Sequence, residues 1–180
     1  MARDDGGAWL MVDFDDLPDD EDDIDLERFE AQQDEPFQGD KRRSIYQQAV
    51  AELREGRKRS HWMWFVFPQC DGVPEYHGEK PSEMTLWFGV AGLAEATAYL
   101  EHETLGVRLR ECFRICVESG ERDATAIFGP VDAAKFRASA TLFSRVEAAD
   151  PIFTAALETF FDGRPCQATM ALTGEAGGNR

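Results

Sequence analysis

Between Leu26 and Leu172 the apolar positions recur every three to four residues, the period of one helix face rather than of a strand. Ile45, Tyr46, Ala49, Val50 and Leu53 fall at i, i+1, i+4, i+5 and i+8 and predict a helix from about Lys41 to Arg54, stopped by Gly56. Leu105, Leu109, Cys112, Phe113, Cys116 and Val117 repeat at i, i+4, i+7, i+8, i+11 and i+12, with Arg108, Arg110, Glu111 and Arg114 between them, and predict the strongest helix, Thr104 to Glu118. A third stripe, Phe136, Ala140 and Phe143, lies in a helix capped by Asp132 and running to about Val146. The fourth, Ile152, Phe153, Ala156, Leu157, Phe160 and Phe161, follows Asp150-Pro151, where a proline in the first turn has no amide hydrogen to leave unsatisfied.

Shorter helices fill the intervals. Asp25 caps one that begins at Leu26, Leu93 to Leu100 is another, Asp123 caps a turn through Phe128 before Gly129-Pro130, and Gln167 to Leu172 closes the set. From Cys70 to Glu83 the breakers Gly72, Pro74, Gly78 and Pro81 predict a loop, whose Tyr76 and His77 either border a pocket or are simply exposed. Met84 to Val90 is too short for period to decide between a buried extended segment and a short helix. Strand alternation is absent from the sequence, as is any repeat of 20 to 50 residues. The expected fold is therefore all-α: a compact single-domain bundle of about six to eight helices over residues 24–173, with an irregular Trp-rich segment and loop in the middle.

Charge sets the ends apart from this domain. The net charge of the 180 residues is -16, and residues 1–25 hold eleven Asp and Glu against one Arg, a net -10, which leaves -6 for the rest. Residues 1–23 thus predict an acidic, disordered tail, and the Gly-rich residues 174–180 a disordered end. Within the tail Trp9-Leu10-Met11-Val12 reads as a docking segment for a protein partner or as an incidental apolar patch. An acidic domain lacks the basic face that nonspecific nucleic-acid binding and anionic lipid require, so neither partner is expected. Asp4 and Asp5 stand where a secretory signal needs positive charge, and no apolar run approaches 18 residues, so a soluble, cytoplasmic protein is expected. There thiols stay reduced. Cys112 and Cys116 share a helix face, but His61, His77 and His102 are scattered singly, which favours core packing and predicts no metal site and no cofactor.

The chemistry-bearing residues gather in one stretch, Arg57-Lys58-Arg59-Ser60-His61-Trp62-Met63-Trp64-Phe65-Val66-Phe67-Pro68-Gln69. Fixed positive charge, an imidazole, two indoles and an amide together suit a binding site. The aromatic residues of the stretch serve equally well as core.

Several blocks resemble a bacterial domain-of-unknown-function family, number 1810: Asp25 to Phe29, Lys58 to Trp64 with Phe67-Pro68-Gln69, Ala98-Tyr99-Leu100, Leu105 to Cys112, Ile127-Phe128-Gly129 and Lys135 to Phe143. The resemblance spans about Leu26 to Leu172 and implies a mainly helical single domain with no established activity. Members often carry the label calpastatin, although nothing here is similar to that inhibitor's short disordered segments. Cys70 to Pro81 is longer than the family's usual loop and lacks its basic residue, and Arg137-Ala138-Ser139-Ala140-Thr141 stands where Arg-Ser-Ser-Met-Thr is usual.

Two functions of different class remain open at this point. One is a site for a small anionic, phosphorylated or nucleotide-like ligand, formed where Lys58, Arg59, His61, Trp62, Trp64 and Gln69 meet the helix bearing Lys135, Arg137, Ser139 and Thr141. In it His61 is the one candidate acid or base, and no Gly-rich phosphate loop or nucleophile motif names a reaction. The other is a protein-interaction module that uses the acidic N-terminal segment.

Overall fold

The computed structural model describes residues 24–174. They fold into ten helices: α1 (Glu27–Asp34), α2 (Ile45–Arg54), α3 (Met63–Val66), α4 (Val73–Tyr76), α5 (Glu83–Trp87), α6 (Leu93–Glu101), α7 (Leu105–Glu118), α8 (Ala124–Ser144), α9 (Ile152–Phe161) and α10 (Gln167–Leu172). The fold is all-α, and the described residues hold only two isolated bridges, Pro36 with Ser44 and Cys70 with Val90. The count exceeds the expected six to eight because the Trp-rich segment and the loop contain single-turn helices, α3, α4 and α5. No helix among the described residues is long and apolar enough to cross a membrane. The expectations for residues 1–23, including Trp9 to Val12, and for residues 175–180 lie outside the described residues.

Local signals set the helix starts. Asp25 accepts the Glu27 amide at 3.0 Å, and Glu27 and Glu30 place negative charge in the first turn of α1. Helix α2 begins at Ile45 rather than Lys41, because Ser44 and Gln47 form a reciprocal capping box while Asp40 folds the chain before it through Arg42. Asp123 caps α8 through the Thr125 amide at 2.8 Å. The expected break at Gly129-Pro130 is a kink: Gly129 (φ 77°, ψ 166°) leaves helical geometry and the chain re-enters the helix at Pro130. Asp132 therefore lies inside α8 and caps no separate helix. Asp150 accepts the Ile152 amide at 2.9 Å, as its position before Pro151 predicts.

The stripes bury against one another. Helix α7 packs on α2, α6 and α9, and α8 on α6, α9 and α10. Phe67, Phe113 and Phe136 meet at the centre, with Phe113 and Phe136 stacked at 4.9 Å and Phe67 edge-on to both at 4.9 and 5.0 Å. Phe128, Phe143 and Phe153 extend the same cluster. Cys112 and Cys116 lie in it as buried free thiols. After the loop, Ser82 caps α5, Phe88 ends it, and Val90 then pairs with the chain at Gln69 to Asp71 through the Val90 and Asp71 amides, each at 3.0 Å.

Candidate functional site

Helix α2 ends beside the chain that carries the tryptophans, and one carboxylate joins the two. Glu52, 2% exposed, accepts Gln48 Nε2 at 3.1 Å and Ser60 Oγ at 2.7 Å on Oε1. Its Oε2 accepts the Arg59 amide at 2.8 Å, the Ser60 amide at 3.1 Å and Trp62 Nε1 at 2.9 Å. Burial pushes this carboxyl up, but those donors outweigh it and hold the pKa at about 2. The chain from Arg59 to Trp62 is thus wrapped around an ionised group, and Trp62 is fully buried.

A second carboxylate organises the other side. Asp132 binds Lys58 Nζ at 2.8 Å and Lys135 Nζ at 3.0 Å, one oxygen to each ammonium. Burial again raises its pKa, and the two lysines outweigh that and hold it below the usual carboxylate range. The backbone amide of Lys58 donates to Ile127 O at 2.8 Å, just before the kink, so the block is pinned to α8 on both sides of Gly129. Each ammonium also faces an indole: Lys58 Nζ is 5.2 Å from the Trp62 ring centroid and Lys135 Nζ is 4.3 Å from that of Trp64. Trp64 is partly exposed, and its Nε1 is buried without a hydrogen-bond partner among the described residues. Ser139, one helical turn beyond Lys135, is likewise buried with its hydroxyl unpartnered.

Lys58, Trp62, Trp64 and Lys135 therefore meet, while the other predicted residues are dispersed. Arg59 pairs with Glu55 on the surface, and His61 is exposed and makes no hydrogen bond among the described residues. Gln69 is half-buried and uses its backbone carbonyl to accept Val90 N–H. Arg137 and Thr141 stand on a different face of α8 from Lys135 and Ser139, because two residues advance a helix by about 200°. Arg137 donates to the carbonyls of Arg164 at 2.8 Å and Pro165 at 3.0 Å. Thr141 donates to Arg137 O and accepts the Cys166 amide, each at 2.8 Å. Both tie α8 to the start of α10, away from the tryptophans.

No motif in the sequence marks Glu52, and Asp132 has the composition and position of a helix cap. A signal exists for the second, since Asp132 and Lys135 stand at i and i+3 on one face. Glu52 has a weaker one, in that it flanks the stripe of α2 beside Ala49 and Leu53.

A separate open groove of about 460 Å³ runs along α1, lined by Asp25, Glu27, Arg28, Glu30, Ala31, Asp34 and Trp87. Its one cation, Arg28, is engaged by Glu95 at 2.5 Å and by the carbonyls of Trp87 and Gly89. Among the described residues no three His, Cys, Asp or Glu side chains are grouped to hold a metal ion.

No curated protein matches the chain in sequence comparison. Among solved structures it is similar to the conserved hypothetical protein Rv1873 from Mycobacterium tuberculosis, seen in a crystal structure at 1.38 Å. The two are 40% identical over 83% of this chain and 96% of that one, with a TM-score of 0.72. A family model matches residues 23–173, and the chain belongs to that family, described as Protein of unknown function (DUF1810).

Proposed function

We propose that the face formed by Trp64 and Lys135, backed by Lys58, binds a small anionic molecule that has a planar part. The observation that carries this reading is that one carboxylate, Asp132, serves two ammonium groups, so positive charge remains beside a partly exposed indole in an otherwise acidic domain. An ammonium keeps N–H donors beyond a single ion pair, and an aromatic surface takes a flat ligand at low entropic cost. Glu52 and Asp132 hold the block from both sides, which preorganises the face before any ligand arrives. His61, three positions before Trp64 and exposed, is the nearest titratable imidazole along the chain. The function proposed is binding.

Thermal unfolding of the full chain against nucleotides, sugar phosphates and aromatic acids tests it. A ligand at 100 times its Kd adds about 2.7 kcal/mol of stability. Trp64→Phe, which keeps an aromatic ring but removes the larger indole, is expected to reduce the ligand-induced shift. Absence of a shift with every anion in the wild-type chain would refute the reading.

A further inference from the structure

We infer that the ligand of the Trp64–Lys135 face is a planar monocarboxylate rather than a phosphate, an inference that rests on the binding reading above. Charge decides between the two. Lys58, Lys135 and Asp132 together carry one surplus positive charge, which a carboxylate neutralises and a phosphomonoester dianion overcompensates. The neighbourhood of Lys58, with a side chain only 9% exposed, is partly desolvated, so a residual charge there is costly.

The donors point the same way. Phosphate is best met by the flat fork of arginine or by free amides at a helix start. Arg59 is engaged by Glu55, and Arg137 by two carbonyls on another face of α8. The side chain of Arg57 is exposed and bonds to nothing among the described residues, so it is not held in place as a preset fork. The helix that restarts at Pro130 already carries Asp132 in its first turn, where a carboxylate compensates the positive end of the dipole. What remains is two point-charge ammonium groups, which suit a single carboxylate, and the partly exposed part of the Trp64 ring, beside the Lys135 ammonium that faces it, for the plane attached to it.

Isothermal titration of the full chain at pH 7.5 with benzoate, benzamide, phenyl phosphate and inorganic phosphate tests the inference. Benzoate is expected to bind at least ten-fold tighter than phenyl phosphate, its neutral isostere benzamide or inorganic phosphate. K135M is expected to weaken benzoate at least ten-fold. D132N, which raises the surplus to two charges, is expected to move the preference about ten-fold toward phenyl phosphate. Where D132N fails to fold, the wild-type comparison decides alone. Phenyl phosphate binding as tightly as benzoate, or tighter, would overturn the monocarboxylate assignment and leave an anion site standing. Equal affinity for benzamide would remove the role of charge, and no binding by any probe would overturn the site itself.

Discussion

Trp62 Nε1 lies 2.9 Å from Oε2 of Glu52, and both residues are almost wholly buried. An indole N–H and a carboxylate are each costly to bury alone, so the pair is stable only as a pair, with Ser60, Arg59 and Gln48 completing the shell. This contact holds the tryptophan block to the end of α2 alongside the apolar burial of Trp62, Met63 and Phe65.

The pH dependence follows from the depressed pKa. Glu52 falls from an ordinary 4.5 to about 2, so its contribution is present above pH 4.5 and is lost as the pH falls toward 2. The shift is worth roughly 3 kcal/mol. Glu52→Gln removes the charge and turns one acceptor into a donor that faces other donors. Urea unfolding at pH 7 should show it less stable than wild type by roughly 3 kcal/mol or more. The gap should narrow as the pH approaches 2. A gap that is the same at both ends of this window would show that the ionised carboxylate does not hold the block.

Gly106 makes a second, purely steric prediction. A Cβ there would fall 2.2 Å from the carbonyl oxygen of Leu100 and 2.8 Å from Arg110 Nη1, because α7 begins flush against the end of α6. Gly106→Ala should cost about 1 to 3 kcal/mol in chemical denaturation, the usual range for forcing atoms into packed space. A neutral substitution would show that the two helices are not in this register.

Thiol labelling reports on the core. Cys70, Cys112 and Cys116 are buried, and burial raises all three thiols, Cys70 to about 12. Only Cys166 is partly exposed. In the native protein an aromatic disulfide reagent should label Cys166 first and the other three at the rate of unfolding. Rapid labelling of Cys112 and Cys116 would contradict the packing of α7.

Much of the helical fold is legible from apolar spacing, since α2, α7 and α9 each carry a stripe that fits one face, and α10 lies where the sequence places it. The misread features are those fixed by partners far along the chain. Asp132 has the composition of a cap, but it is held by Lys58, which a local reading cannot bring to it. Glu52 sits within a helix, and its donors arrive only because the chain doubles back after Gly56. The grouping of Lys135, Arg137, Ser139 and Thr141 into one site follows composition, whereas the helical period alone separates them into two faces.

The proposed role of Lys135 over Trp64, in binding a ligand rather than in holding the fold, is tested by Lys135→Met. Methionine keeps an unbranched apolar stem and removes the charge, and Lys135 is a partly exposed residue whose pairing with Asp132 is duplicated by Lys58. Thermal unfolding of wild type and variant, each with and without a saturating aromatic acid, gives both quantities from one experiment. A ligand-binding role entails that the variant without ligand stays within about 1 to 2 kcal/mol of wild type, because Lys58 still pairs with Asp132, and that the ligand-induced shift disappears. A variant that loses about 3 kcal/mol or more, or one that keeps the full ligand shift, would contradict it.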